Sequence, residues 1–89
     1  LLQAAYRGVK RGNPRALVIG GATSGVDLHF VRRILRAGAA SSLDRVSVHP
    51  YSFGWLPEDA RLVQELRGLS RELRRRGVDG RLWVTEIGP

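Results

Sequence analysis

Apolar positions recur along this chain with two different spacings, and the two take turns. Over residues 1–12, Leu2, Ala5, Tyr6 and Val9 fall on one helical face, and Gly12-Asn13-Pro14 supplies the stop. Residues 16–19 form a short apolar run, expected to be a strand buried on both faces. Asp27 is placed to cap a second helix, with Phe30, Val31, Ile34 and Leu35 as its apolar stripe and Gly38 as its end. Arg45–His49, "RVSVH", reads as a second strand. Pro57 and Glu58 open a third helix that carries Leu62, Leu66, Leu69 and Leu73 on one face and stops at Gly77. Residues 82–86, "LWVTE", read as a third strand. Helix and strand alternate three times with short connections, which predicts an α/β fold of three parallel strands alternating with three helices.

Two architectures share that order: an open doubly wound sheet and a closed (β/α)8 barrel. The stretch "VIGGATSGVD" at residues 18–27 is the best case for the sheet. It resembles the fingerprint of NAD(P)-binding short-chain dehydrogenases, and Ala37-Gly38-Ala39 resembles the end of the helix that follows it there. Gly21 and Gly25 fit two of the places where backbone must approach phosphate or helix must pack on strand. The third glycine is replaced by Asp27, which sets a carboxylate where two anionic phosphates would meet a helix N-terminus. A full helix also precedes the supposed first strand, and the loop lacks the Gly-Lys-Ser/Thr ending of a P-loop.

The barrel makes better sense of the strand ends, since chemistry in such barrels sits at the C-terminal ends of the strands. The first strand runs into Gly20-Gly21-Ala22-Thr23, the second into His49-Pro50-Tyr51, the third into Thr85-Glu86. A carboxylate that ends an apolar strand costs desolvation unless it is paired or used, and residues 83–88 offer no adjacent cation. "DRVSVHPYSFG", followed at Leu82 by "LWVTEIG", resembles the sixth and seventh βα units of a clan A glycoside hydrolase. Family 39 and related β-glycosidases are the nearest likeness. The resemblance implies that residues 1–89 are part of one catalytic TIM barrel, spanning about its fifth to seventh strands and truncated at both ends.

It also implies roles. Glu86 matches the nucleophile of a retaining double displacement, in which a carboxylate attacks the anomeric carbon and forms a glycosyl-enzyme. His49 and Tyr51 are two residues apart and so can face one side of the strand; one is expected to orient Glu86 and the other to contact sugar or the acid/base residue. Trp55, in the following loop, is expected to stack on a sugar ring, whereas Phe53 and Trp83 are assigned to packing. The acid/base glutamate is expected before Leu1, because Glu58, Asp59, Glu65 and Glu72 belong to the third helix. The partner implied is a carbohydrate, with no cofactor and no metal. Alone, the chain is expected to be inactive and, with two unpaired sheet edges and much exposed apolar surface, poorly folded or self-associating. A non-catalytic, carbohydrate-binding barrel shares every one of these residues.

Composition changes this picture little. The net charge is +7, and fourteen of the fifteen basic residues are Arg, spread over all three helices. The densest run, Arg71, Arg74, Arg75 and Arg76, falls at a helix C-terminus, where the dipole favours cations, and Glu72 shares that turn. No strand motif of aromatic and basic residues accompanies the charge, so it reads as solvated helix faces and excludes a nucleic-acid surface. With no Cys there is neither a disulfide framework nor a thiolate metal site. No signal peptide or membrane span is visible, and with Leu1 falling inside a helical pattern the compartment stays open.

Overall fold

A computed structural model describes residues 1–50 and 60–87. The chain is a small α/β domain in which three helices alternate with three parallel strands. The order is α1 (Leu2–Gly12), β1 (Ile19–Ser24), α2 (Leu28–Arg36), a short 3-10 helix (Ala39–Ser42), β2 (Arg45–His49), α3 (Ala60–Arg75) and β3 (Leu82–Val84). The sheet order is β1-β2-β3, with both pairings parallel. β2 is therefore central, and among the described residues β1 and β3 each pair on one side only.

The second strand has the bounds read from its alternation, but the first does not. β1 begins at Ile19, the last residue of the apolar run, and continues through the glycines to Ser24. Gly20 and Gly21 pair with Val46 and Ser47. A methyl group on Gly20 would lie 3.3 Å from a Leu43 side-chain carbon, and one on Gly21 would lie 3.0 Å from the Ser47 carbonyl oxygen. Gly21 also has φ at +102°, a conformation open to glycine at little cost. The glycines thus let two strands and a connecting segment close on one another. The preceding residues, 16–18, lie outside the sheet, and Leu17 is exposed, against the expected burial on both faces; Val18 is tied to Asp44, whose carboxylate accepts the Val18 N–H at 2.8 Å and whose own N–H donates to the Val18 carbonyl at 2.8 Å.

The core lies on one side of the sheet. Val46 and Val48 of β2 pack with Val31 and Leu35 of α2, Leu69 and Leu73 of α3, and Leu43 and Val78. Alternation along β2 turns Ser47 and His49 to the opposite face. Asp27 caps α2 as expected, its carboxylate accepting the Phe30 N–H at 2.9 Å. Phe30 itself is exposed, in contrast to the expected stripe. The buried line runs through Val31 and Leu35, with Leu28 packed beside it. α1 buries no residue fully; Lys10 holds it to the sheet, pairing with Asp44 at 2.8 Å and donating to the Ala16 carbonyl at 2.7 Å.

Glu72 is also not the solvated charge its sequence neighbours suggest. Its side chain is 5% exposed and lies within 3.0 Å of Arg76, 3.5 Å of Arg75 and 3.5 Å of Arg32. Because Arg32 belongs to α2, this carboxylate joins α2 to α3 on the same face of the sheet. The hydrogen bond from Arg76, helped by the Arg32 and Arg75 charges, holds the Glu72 carboxyl below its ordinary value. Asp44 is lowered by Lys10 and by the Val18 N–H, and Asp79 well below the usual carboxylate range by Arg81. In each case the fold favours the ionised form. The stabilisation is therefore complete above the ordinary values of 3.8 and 4.5 and is lost as pH falls through the depressed ones. Acid titration followed by circular dichroism should show stability declining below that window, and Glu72→Gln should make the decline shallower while lowering stability at neutral pH.

Candidate functional site

The C-terminal ends of β2 and β3 bring together three polar side chains. His49 is the last residue of β2, on the face turned away from the helices. β3 ends at Val84, two residues before the expected Glu86. Thr85 still donates its N–H to the Val48 carbonyl at 3.3 Å, which carries the chain one step along β2 before it leaves the sheet. Thr85 Oγ1 then stands 2.7 Å from His49 Nε2. Glu86 Oε2 stands 3.3 Å from His49 Nδ1. Both ring nitrogens of one imidazole are engaged by two consecutive residues of the neighbouring strand end.

The main chain of His49 is fixed as well. Its carbonyl accepts the Gly25 N–H at 2.8 Å, which ties the strand end to the β1–α2 turn. That turn is itself held. Gly21 and Ala22 both have positive φ where the β1–β2 register shifts, and the Ala22 N–H donates to Ser47 Oγ at 3.1 Å. Thr23 Oγ1 donates to the Gly25 carbonyl at 2.7 Å. Ala22, at φ of 47°, occupies a region that costs a non-glycine residue about 1 kcal/mol or more. Its hydrogen bond to the buried Ser47 offsets part of that.

Exposure grades outward from this frame. The His49 side chain is 22% exposed and that of Glu86 55%, so the carboxylate lies nearer the surface and the ring is mostly covered. Trp83 is paired in register with Ser47, which puts it on the same face as His49, and it is 44% exposed. Trp83 is thus exposed and outside the core cluster, in contrast to the expected packing role. Tyr51, Phe53 and Trp55 lie outside the described residues, as do Pro57, Glu58 and Asp59.

Of the site residues expected from the sequence, the structure joins His49 to Glu86. It adds Thr85, Gly25 and Ser47, none of which had been given a part there. Thr85 could have been found from strand register, since the residue after a parallel strand can reach the end of its neighbour. Gly25 and Ser47 carry no chemical signature of their own. At the glycine-rich turn, the Asp27 carboxylate takes the Phe30 N–H, one of the donors at the α2 N-terminus that a bound pyrophosphate would use. No group of three or more metal-ligating side chains occurs among the described residues, and no described helix is long and apolar enough to cross a membrane. Comparison with family models, with curated proteins and with solved structures gave no match.

Proposed function

We propose that this chain is part of a retaining glycoside hydrolase barrel of the clan A type, acting on the O-glycosidic bonds of an oligo- or polysaccharide with Glu86 as nucleophile. The observation that carries the reading is the pairing of Glu86 with His49 at the C-terminal ends of adjacent parallel strands. A half-exposed carboxylate with an imidazole beside it suits attack on an anomeric carbon: it is reachable by substrate, and the neighbouring ring can hold it in place. Sequential strand order and helices packed on one face are the further support, since both belong to a segment of a (β/α)8 barrel. The face carrying Ser47, His49 and Trp83 then points into the barrel.

In the first half of the reaction the Glu86 oxygen bonds to the anomeric carbon as the leaving oxygen departs. His49 keeps the carboxylate aimed during the approach. In the second half, water attacks the same carbon from the opposite face and releases Glu86, so configuration is retained. Proton transfer to the leaving oxygen and from the water belongs to a second carboxylate about 5–5.5 Å away. On this reading that carboxylate is none of the residues of α3 and comes from another strand end of the barrel.

The test is covalent labelling of the polypeptide that carries the whole barrel, using 2-deoxy-2-fluoro glycosides with a good leaving group. Such sugars react with a nucleophilic carboxylate and are then released slowly. Trypsin cleavage after Arg81 yields a peptide that begins at Leu82 and contains Glu86. That peptide should gain the mass of one fluoroglycosyl group. A label on another carboxylate, or none across a panel of sugars, overturns the assignment.

A further inference from the structure

Three arginines close on one carboxylate where α2 meets the end of α3. Arg76 Nε–H donates to Glu72 Oε1 at 3.0 Å; Arg32 Nε stands 3.5 Å from the same oxygen, and Arg75 Nη1 stands 3.5 Å from the other. Three guanidinium charges against one carboxylate leave an excess of two positive charges at one place. Neighbouring sequence does not cancel it. α2 carries no acid from Leu28 to Arg36, and Glu72 is the sole acid of α3 from Gly68 to Arg75. The carboxylate is 5% exposed, while the Arg32 and Arg75 side chains are 42% and 78% exposed. Both contact Glu72 as ion pairs, and neither guanidinium makes a hydrogen bond to another described residue. A guanidinium carries five N–H donors in a planar fork, so donors remain available at the surface on both helices.

We propose that Arg32 and Arg75 form a clamp for a phosphate group, free or as a monoester, with Glu72 as the post that holds the two guanidiniums together across the α2–α3 seam. Charge fits first: a phosphate monoester carries about two negative charges near neutral pH, which matches the excess. Shape fits next, because a guanidinium fork pairs with phosphate oxygens through two parallel hydrogen bonds. Restraint by the covered carboxylate also means that less side-chain freedom is left to lose when an anion arrives. A helix C-terminus ordinarily disfavours anions through its open carbonyls. Here the carbonyls of Glu72, Leu73 and Arg74 already accept N–H groups of residues 76–78. A nucleic-acid backbone, with one charge per phosphate, calls for cations strung along a groove; this excess is gathered about one carboxylate and suits a single dianion. The clamp belongs to the helix layer, on the far side of the sheet from His49, and stands whatever Glu86 does.

Titration of 15N-labelled protein with inorganic phosphate, at an ionic strength held constant with sodium chloride, tests the clamp through the arginine Nε–Hε resonances. Those of Arg32 and Arg75 should shift together and saturate, whereas that of Arg7, an exposed arginine of α1, should stay in place. Arg75→Gln should weaken phosphate binding, read at Arg32, by about tenfold or more. Arg7→Gln removes the same charge and should leave the affinity unchanged. Because Arg75 is 78% exposed, its replacement should leave the fold intact; Arg32→Gln, read at Arg75, is the reciprocal variant and should weaken binding likewise. Phenyl phosphate that binds as inorganic phosphate does assigns the clamp to monoesters, and binding of inorganic phosphate alone assigns it to the free ion. Shifts that never saturate, shifts that Arg7 shares, or full affinity in both Arg75→Gln and Arg32→Gln overturn the inference.

Discussion

On the proposed reading, replacing Glu86 by alanine is expected to lower glycoside hydrolysis by the complete barrel on the order of 10⁶-fold, the scale seen when a covalent nucleophile is removed while binding groups remain. The loss should fall on kcat together with kcat/KM, because a nucleophile acts in the transition state and adds little to ground-state binding. The Glu86 side chain is more than half exposed, so its removal leaves a hole open to small anions rather than a buried cavity that collapses. Azide should enter that hole and attack a substrate bearing an activated leaving group. The product is then a glycosyl azide of inverted configuration, since only one displacement has taken place. Rate recovery with that stereochemistry identifies Glu86 as the attacking group and separates it from a carboxylate that merely holds the site together. An alanine variant that retains activity, or a product of retained configuration, excludes the role.

The meeting of two polar side chains at the strand ends was legible in the sequence because they are rare residue types at fixed places. A histidine closing one apolar strand and a glutamate just past another are conspicuous, and the structure sets the two side chains 3.3 Å apart. What the sequence concealed is governed by contacts between distant segments. Gly20 and Gly21 carry no hydrophobic signal, so β1 looked shorter and earlier than it is; close approach by Leu43 and Ser47 explains their place in a strand. Phe30 fits the helical period but falls on the exposed side of α2, while Val31 and Leu35 join the core and Leu28 packs against it. Periodicity marks a stripe and leaves open which edge of it meets the sheet.

Charge misled in the opposite sense. Glu72 lies among Arg71, Arg74, Arg75 and Arg76 and resembles one member of a solvated turn, yet it is almost wholly covered, and its link to Arg32 crosses to another helix. A partner on α2 has no signature in the local pattern of α3. Thr85 was passed over for a similar reason. Its part depends on the parallel register that sets the end of β3 beside His49, and register is a property of the pair.

The largest effect on stability is expected at Leu73. Its side chain is fully buried, as are those of Leu69, Val31, Val46 and Val48 around it. Its carbonyl also accepts the Val78 N–H at 2.9 Å, which closes the end of α3 and turns the chain toward β3. The sheet valines on one side and α2 on the other leave the site little means of collapsing after truncation. Leu73→Ala should therefore cost about 3 kcal/mol, within the range for leucine truncations in rigid cores. That is a large share of the roughly 5–15 kcal/mol that holds a small domain together. Val63, on the same helix, is 41% exposed, and Val63→Ala should change stability by no more than about 0.5 kcal/mol. Urea unfolding of dilute protein, followed by tryptophan fluorescence, compares the two. A marked fall in midpoint for Leu73→Ala beside an unchanged Val63→Ala places the stability in the layer between sheet and helices. Equal midpoints would mean that α3 is not held to the sheet by that layer, and the two strand ends would then lack the rigid support that sets His49 beside Glu86.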